Sequence, residues 1–272
     1  MSTRRPAVAG QFYPANPGEL RETVDTCLDQ ATIEPAPSQV HAIIAPHAGY
    51  VFSGPTAAFS FQRVRGKEPK RVILLGCSHR YLIERASIYE RGVFATPLTQ
   101  LHIDEDFTRK LVDRIGTEPI EPHLAEHCLE VELPFLIQAI GEIPIVPILF
   151  SSPATEWHVR VGKILADMAD EQDLLVASTD LSHYLNEEEA NRIDHSTISA
   201  ILAQDCHRVI VGLEEGSLSM CGGTAVVVAM SYALARGAKK WELLDYRTSG
   251  QAFGDHSRVV GYAAISMERE AA

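Results

Sequence analysis

The chain has 272 residues, 46% of them hydrophobic and 22% charged, enough apolar material for a large core and too much for a mainly disordered protein. Its 24 Lys and Arg against 36 Asp and Glu leave a formal charge of −12 without a long basic run, which disfavours nucleic-acid binding. The longest apolar run, from Thr224 to Ala235, is too short to cross a bilayer, and the arginines near the start precede no signal-like apolar core, so a soluble cytoplasmic protein without membrane contact is expected.

In chain order, three- and four-residue apolar spacing predicts a first helix over 19–30, followed by an irregular connection, IEPAPS at 33–38. The strand VHAIIAP comes next, then a helix over 55–64 and the strands RVILLG and ASIYE. Helices over 104–115 and 126–140, the strand IPIVPILF, a helix over 155–169 and the strand DLLVAST follow. Helices over 187–203 and 223–236 lead to the closing strands WELLDYRT and SRVVGYAAISM. This alternation implies an α/β fold with a central mixed sheet and helices on both faces. No repeat, low-complexity tract or long linker divides the chain, so one domain over 1–272 is expected.

In such folds ligand sites gather beyond the carboxyl ends of the strands. The segment AIIAPHAG ends in His47, VILLGCSH in His79, and LLVASTDLSH in Asp180 and His183. Cys221 precedes two glycines and an apolar helix, where unpaired backbone N–H groups favour a thiolate. Two neutral imidazoles and one thiolate make a three-ligand metal site with open positions, and His183 and Asp180 beside it suit acid/base work. Each residue also has a structural reading: the histidines as turn residues, Cys221 as a small buried hydrophobe, and Asp180 as a turn or cap former. Their shared location at strand and helix ends favours the joint functional reading. Cys77, two residues before His79, reads as a small core residue. Five cysteines without Cys-x-x-Cys spacing suggest no disulfide framework.

A rival motif is HLAEH, His123 to His127, which matches the H-x-x-E-H pattern of inverted zinc peptidases. Pro122 places His123 in the first helical turn or outside the helix, which weakens that reading. Glu126, His127 and Glu130 can instead begin a helix facing the pocket, or the glutamates can simply favour its N-terminus. Phe12, Tyr13, Tyr50 and Phe52 flank the proposed site in sequence and offer an apolar wall with hydroxyl handles, although core packing is the commoner fate of such residues. No G-x-S-x-G elbow, Walker loop or G-x-G-x-x-G occurs.

Six segments in order, AGQFYP, IIAPHAGYVFSG, LLGCSH, EHCLEVELPF, STDLSHY and CGGTAVVVAM, together resemble the Memo family, whose prokaryotic members are named AmmeMemoRadiSam system protein B. The resemblance implies an extradiol-dioxygenase-like fold and metal binding by His47, His79 and Cys221, with Asp180, His183 and His127 lining the pocket. The related dioxygenases hold non-haem iron(II) with two histidines and a carboxylate, whereas the third position here is Cys221. The resemblance makes iron(II) the first expectation; a thiolate is softer and oxidisable, which shifts preference toward copper(I) or zinc as alternatives and puts ring cleavage in doubt. Two functions follow as expectations: a metal-dependent redox enzyme acting on a small substrate, or a peptide- or protein-binding module using the same pocket. The resemblance also implies an association with a radical-SAM protein.

Overall fold

The computed structural model describes residues 2–270, so the outermost ends of the expected 1–272 domain lie outside the described residues. Its strands are β1 (Thr3–Arg4), β2 (Val40–Ala45), β3 (Val72–Cys77), β4 (Ser87–Ile88), β5 (Val93–Ala95), β6 (Gln100–His102), β7 (Ile145–Phe150), β8 (Leu174–Ser178), β9 (His183–Leu185), β10 (Lys240–Thr248) and β11 (Val259–Glu268). The helices are α1 (Pro17–Gln30), α2 (Tyr50–Arg63), α3 (Glu105–Ile115), α4 (Glu121–Ala125), α5 (Glu132–Ile140), α6 (Glu156–Met168), α7 (Glu187–Leu202), α8 (Cys206–Glu214), α9 (Gly223–Ala235) and α10 (Gly250–Phe253).

The main sheet runs β10-β11-β2-β8-β3-β7-β4, with β9 paired to β11. Strands β2, β8, β3 and β7 are parallel, while β10, β11 and β4 add antiparallel edges. The parallel strands are buried on both faces and therefore read as continuous apolar runs such as VILLGC. Alternate residues feed two cores: Ile43, Val72 and Leu74 point to the layer of α1, α2 and α5, and Ile44, Ile73 and Leu75 to that of α6 and α9.

This is the α/β class with helices on both faces that the alternation predicts. A second, three-stranded sheet, β1-β5-β6, was not expected. Its strands have only two or three residues, too few to show a period. The strand expected over ASIYE shrinks to Ser87–Ile88. The helix expected from 55 begins at Tyr50 and carries Pro55 inside it. The helix expected over 126–140 begins only at Glu132, because residues 128–131 form a turn; the Glu126 carboxylate accepts the N–H groups of His127 and Cys128 at 2.8 and 3.1 Å and satisfies donors that a helix would otherwise use. Helix α8 is amphipathic and capped by Asp205, yet it too was missed. Among the described residues, no helix is long and apolar enough to cross a membrane.

Candidate metal centre

Strand order places the key residues together. Strand β8 lies between β2 and β3, so three adjacent parallel strands release their chains on the same side of the sheet. Beyond β2 comes His47, beyond β3 comes His79, and beyond β8 comes Asp180. Cys221 reaches the same point from the start of α9, anchored by its N–H donating to the Asp180 carbonyl at 3.1 Å. Gly222 makes this approach possible, since a Cβ there would lie 2.5 Å from the Ser178 carbonyl oxygen and 2.7 Å from Thr179 Cβ.

Donor atoms of His47, Cys77, His79 and Cys221 all lie within 4.8 Å of one another. His47 Nε2 is 3.2 Å from Cys221 Sγ, and His79 Nε2 is 3.5 Å from Cys77 Sγ. The opposite nitrogen of each ring is tied back into the protein. His47 Nδ1 lies 2.8 Å from Ser178 Oγ, whose own proton is directed at the Cys128 carbonyl 2.9 Å away. Ser178 therefore accepts from Nδ1–H and leaves Nε2 of His47 as the lone-pair nitrogen. Glu132 Oε1 sits 2.8 Å from the same hydroxyl, its carboxyl pushed well above the usual range by burial. His79 Nδ1 donates to Glu126 Oε1 at 2.9 Å, and the His79 backbone N–H donates to Oε2 at 2.7 Å. Nδ1 anchored to a carboxylate or hydroxyl with Nε2 aimed at a shared point is the arrangement of metal-binding histidines.

A metal fits this donor set. With metal–sulfur distances near 2.3 Å and metal–nitrogen distances near 2.0–2.1 Å, tetrahedral ligands would place sulfur and nitrogen about 3.6 Å apart. The observed separations of 3.2 and 3.5 Å are a few tenths from that value. Without metal Cys221 and His79 hold protons. Cys221 is pushed up to about 12 by a hydrogen bond to Cys77 and by burial, against the pull of His47. For His79, burial opposes the charged form, yet hydrogen bonds to Cys221 and Glu126 outweigh it and carry the pKa up to about 10. In the metal-free chain the neighbouring thiol and burial favour the Cys221 thiol, so a metal would displace its proton on binding. Burial alone would raise Glu126, but hydrogen bonds from His127 and His79 hold it well below the usual carboxylate range.

Around this centre opens a cleft of about 1080 Å³, lined by His47, His79, His127, Asp180 and His183 together with Phe12, Tyr13, Tyr50 and Phe52. His127 stacks on His79 at 4.6 Å between ring centroids and carries Phe12 on its other side at 4.8 Å. The Asp180 carboxylate accepts the His47 backbone N–H at 2.8 Å, clamping the turn that carries the imidazole. His183 Nδ1 donates to the Leu181 carbonyl at 2.9 Å, which leaves its Nε2 free to exchange protons.

Three expectations need correction. Tyr13 and Tyr50 line the cleft, but their hydroxyls donate into the protein, to Glu130 Oε1 and the Val131 carbonyl, each at 2.6 Å, so they offer ring faces and no handles. His123 is remote from the cluster: it is 2% exposed, packs on Tyr89 and Phe94, and its Nε2 donates to the Ser87 carbonyl. Helix α4 ends at Ala125, so His123 and His127 do not share one helical face, and the zinc-peptidase reading lacks its geometric basis. Cys77, read as a core residue, has its sulfur in the donor cluster. Glu126 was expected only as the start of a pocket-facing helix, and Ser178 and Glu132 had no expected role, because nothing local in SxD or EHCLEVE distinguishes a ligand-orienting group from a strand end or a helix start.

The sequence pattern described as Memo-like protein matches residues 4–266. A MEMO1 family protein of Methanopyrus kandleri is 37% identical over 98% of this chain and 99% of its own length. Its counterpart in Aquifex aeolicus is 36% identical over 97% and 99% of the two chains. In structure, the chain is similar to an uncharacterized protein of Escherichia coli K12, with a TM-score of 0.52 at 15% identity, covering 84% of this chain and all of that one. With the match spanning nearly every element described above, the chain belongs to the family of Memo-like proteins.

Proposed function

We propose that this protein is a metal-dependent redox enzyme in which His47, His79 and Cys221 hold the metal at the floor of the cleft and a small substrate occupies the apolar space above. The observation that carries this reading is the pair of imidazoles with Nδ1 anchored, to Ser178 and to Glu126, which leaves each Nε2 available within a cluster whose donor atoms lie within 4.8 Å of one another. A bound redox-active ion, iron(II) in the first instance with copper as an alternative, would supply electron transfer and charge stabilisation there, as in the extradiol-dioxygenase-like chemistry that the family resemblance suggests; zinc would supply only the latter. Phe12, Tyr13, Tyr50 and Phe52 bury the apolar part of the substrate, and the stacked His127 narrows access to the donors. His183, its Nδ1 fixed on Leu181, exchanges protons through Nε2, while Asp180 holds the His47 turn in place.

A second reading uses the same cleft without turnover, as a peptide-binding module. What favours it is the mouth: Val51, Tyr184 and Phe253 are 59%, 65% and 68% exposed, and Phe253 meets Phe52 at 5.2 Å, which extends the apolar surface outward. Metal analysis of the purified chain tests the shared premise: His47→Ala and Cys221→Ser should lose the metal and His123→Ala should keep it, whereas normal metal content in the first two would overturn the proposal. Oxygen uptake with catechols and with simple reductants then separates the readings, because metal-loaded protein with no turnover would leave the binding module.

A further inference from the structure

Three donors satisfy the proposed function, but the structure supplies four. We infer that Cys77 is also a ligand, completing a two-sulfur, two-nitrogen centre with His47, His79 and Cys221 that selects a soft tetrahedral ion, zinc(II) or copper(I), over iron(II). This rests on the metal-binding reading above but replaces its first metal: zinc(II) or copper(I) takes the place of iron(II), and with zinc(II) the centre supplies charge stabilisation without electron transfer.

Geometry is the first support. The four donor atoms lie within 4.8 Å of one another, and the two sulfur–nitrogen contacts are 3.2 and 3.5 Å. A tetrahedral site with two thiolates needs sulfur–sulfur separations of about 3.8 Å and nitrogen–nitrogen separations of about 3.3 Å, both inside that envelope. Cys221 Sγ lies 3.2 Å from His47 Nε2, while Cys77 Sγ lies beside the His79 ring, 3.5 Å from Nε2 and 3.9 Å from Nδ1, so a small movement of the Cys77 side chain or the His79 ring would bring the fourth donor onto a shared ion. Local packing holds Cys77 in this position. It is the last residue of β3, and Gly76 before it lies so close to helix-approach residues that a Cβ there would sit 2.5 Å from Cys128 Sγ. Cys128 itself is excluded from the cluster, because its thiol donates to the Cys77 carbonyl at 3.1 Å.

Charge is the second support. Two neutral imidazoles and one thiolate leave zinc(II) with a net positive charge that a second thiolate cancels, whereas copper(I) is neutral with one thiolate and carries −1 with two, so charge favours zinc(II). His47 and Cys77 are buried while His79 is exposed to the cleft and Cys221 half-buried, so a neutral centre lowers the cost of holding the ion on its buried side. Thiolates also discriminate between metals, since paired sulfur and nitrogen donors suit zinc(II) and copper(I) while iron(II) oxygenase sites use imidazole and carboxylate with positions left open. A closed four-donor centre admits an exogenous ligand only when one donor leaves, and Cys77, unlike the two histidines, has no side-chain anchor behind its donor atom.

The test uses the full chain loaded with zinc(II), read by X-ray absorption fine structure, which counts sulfur neighbours without altering any residue. Two sulfur and two nitrogen ligands are expected; one sulfur overturns the inference and leaves the three-donor reading intact. Cobalt(II) titration provides a second readout: folded Cys77→Ser should keep the thiolate-to-metal band of Cys221 at roughly half its intensity, with zinc(II) affinity lowered about 10-fold or more relative to iron(II). An undiminished band and unchanged metal preference would refute a ligand role for Cys77, and Cys128→Ser should behave as the unaltered chain. If the unaltered chain binds neither zinc nor cobalt, the underlying metal-binding reading fails as well.

Discussion

The hydrogen bonds around Glu126 make its replacement by glutamine a strict test of how the centre is built. Oε1 accepts three N–H groups, from His79 Nδ1, His127 and Cys128, and Oε2 accepts the His79 backbone N–H at 2.7 Å. In Glu126→Gln the amide oxygen must take the Oε1 position to serve three donors, which turns the amide NH₂ toward the His79 N–H, donor against donor. That leaves one buried backbone donor unpaired, at about 1–3 kcal/mol, and removes the carboxylate charge that makes the imidazole a strong donor to metal. Metal affinity should therefore fall about 10- to 100-fold, equivalent to roughly 1.4–2.7 kcal/mol. Competition with a chromophoric chelator at fixed pH measures this, with denaturant unfolding of the metal-free protein run in parallel. Unchanged affinity in a folded Glu126→Gln would show that His79 does not need this carboxylate, and the argument from anchored imidazoles would fail with it.

Ser178→Ala removes the acceptor of His47 Nδ1–H and should weaken metal binding by about 10-fold, again by chelator competition, with a smaller change in stability than in affinity. Arg4 and Glu130 form a buried ion pair, and Glu130 also accepts from the Ala7 and Val8 backbone and from Tyr13, so Arg4→Met should cost about 3–5 kcal/mol in urea unfolding; a loss near zero would mean that the N-terminal arm does not hold the 123–130 segment. Gly222→Ala should lower metal affinity more than it lowers stability, because the new methyl group would displace Cys221 from the end of β8; an unshifted cobalt(II) spectrum would refute this. His123 and His158 are buried and neutral, and burial brings both pKa values down to about 4 from the unfolded 6.5. Since the folded values are the lower ones, this stability is complete above pH 6.5 and is lost as pH falls from 6.5 toward 4, by about 3 kcal/mol for each histidine. His158 also accepts from the Thr155 N–H in the N-terminal cap of α6, so His158→Gln should retain the cap and flatten the acid limb, as urea unfolding across that pH range would register.

Buried ionisable groups are distributed on both sides of the cleft. Arg4 reaches the His123 carbonyl at 3.0 Å and also donates to the Glu126 carbonyl, so the segment carrying His127 is fastened from below by the N-terminal arm. On the opposite side Tyr184 adopts a left-handed backbone conformation, with φ of 60°, directly after His183. Such a conformation in a non-glycine residue is held by its surroundings, here the pairing of β9 with β11. The His183 ring is thus presented to the cleft by a short strand of fixed course.

Local residue chemistry was enough to identify the α/β class and the positions where function could gather. Apolar β-branched runs such as VILLGC and DLLVAS form strands wherever they pack, and the polar residue that ends each run marks the strand's carboxyl end. His47, His79 and Asp180 were legible for that reason, and Cys221 because it stands before two glycines and the apolar helix α9. Which of them meet was decided by the insertion of β8 between β2 and β3, a long-range pairing that alternation of strands and helices does not specify. The inward turn of Cys77 was illegible because a strand buried on both faces shows no polar alternation to indicate where each side chain points. The roles of Glu126 and Ser178, and the burial of the Tyr13 and Tyr50 hydroxyls, likewise depend on partners 47 to 131 residues away along the chain, so only the packed tertiary structure could assign them.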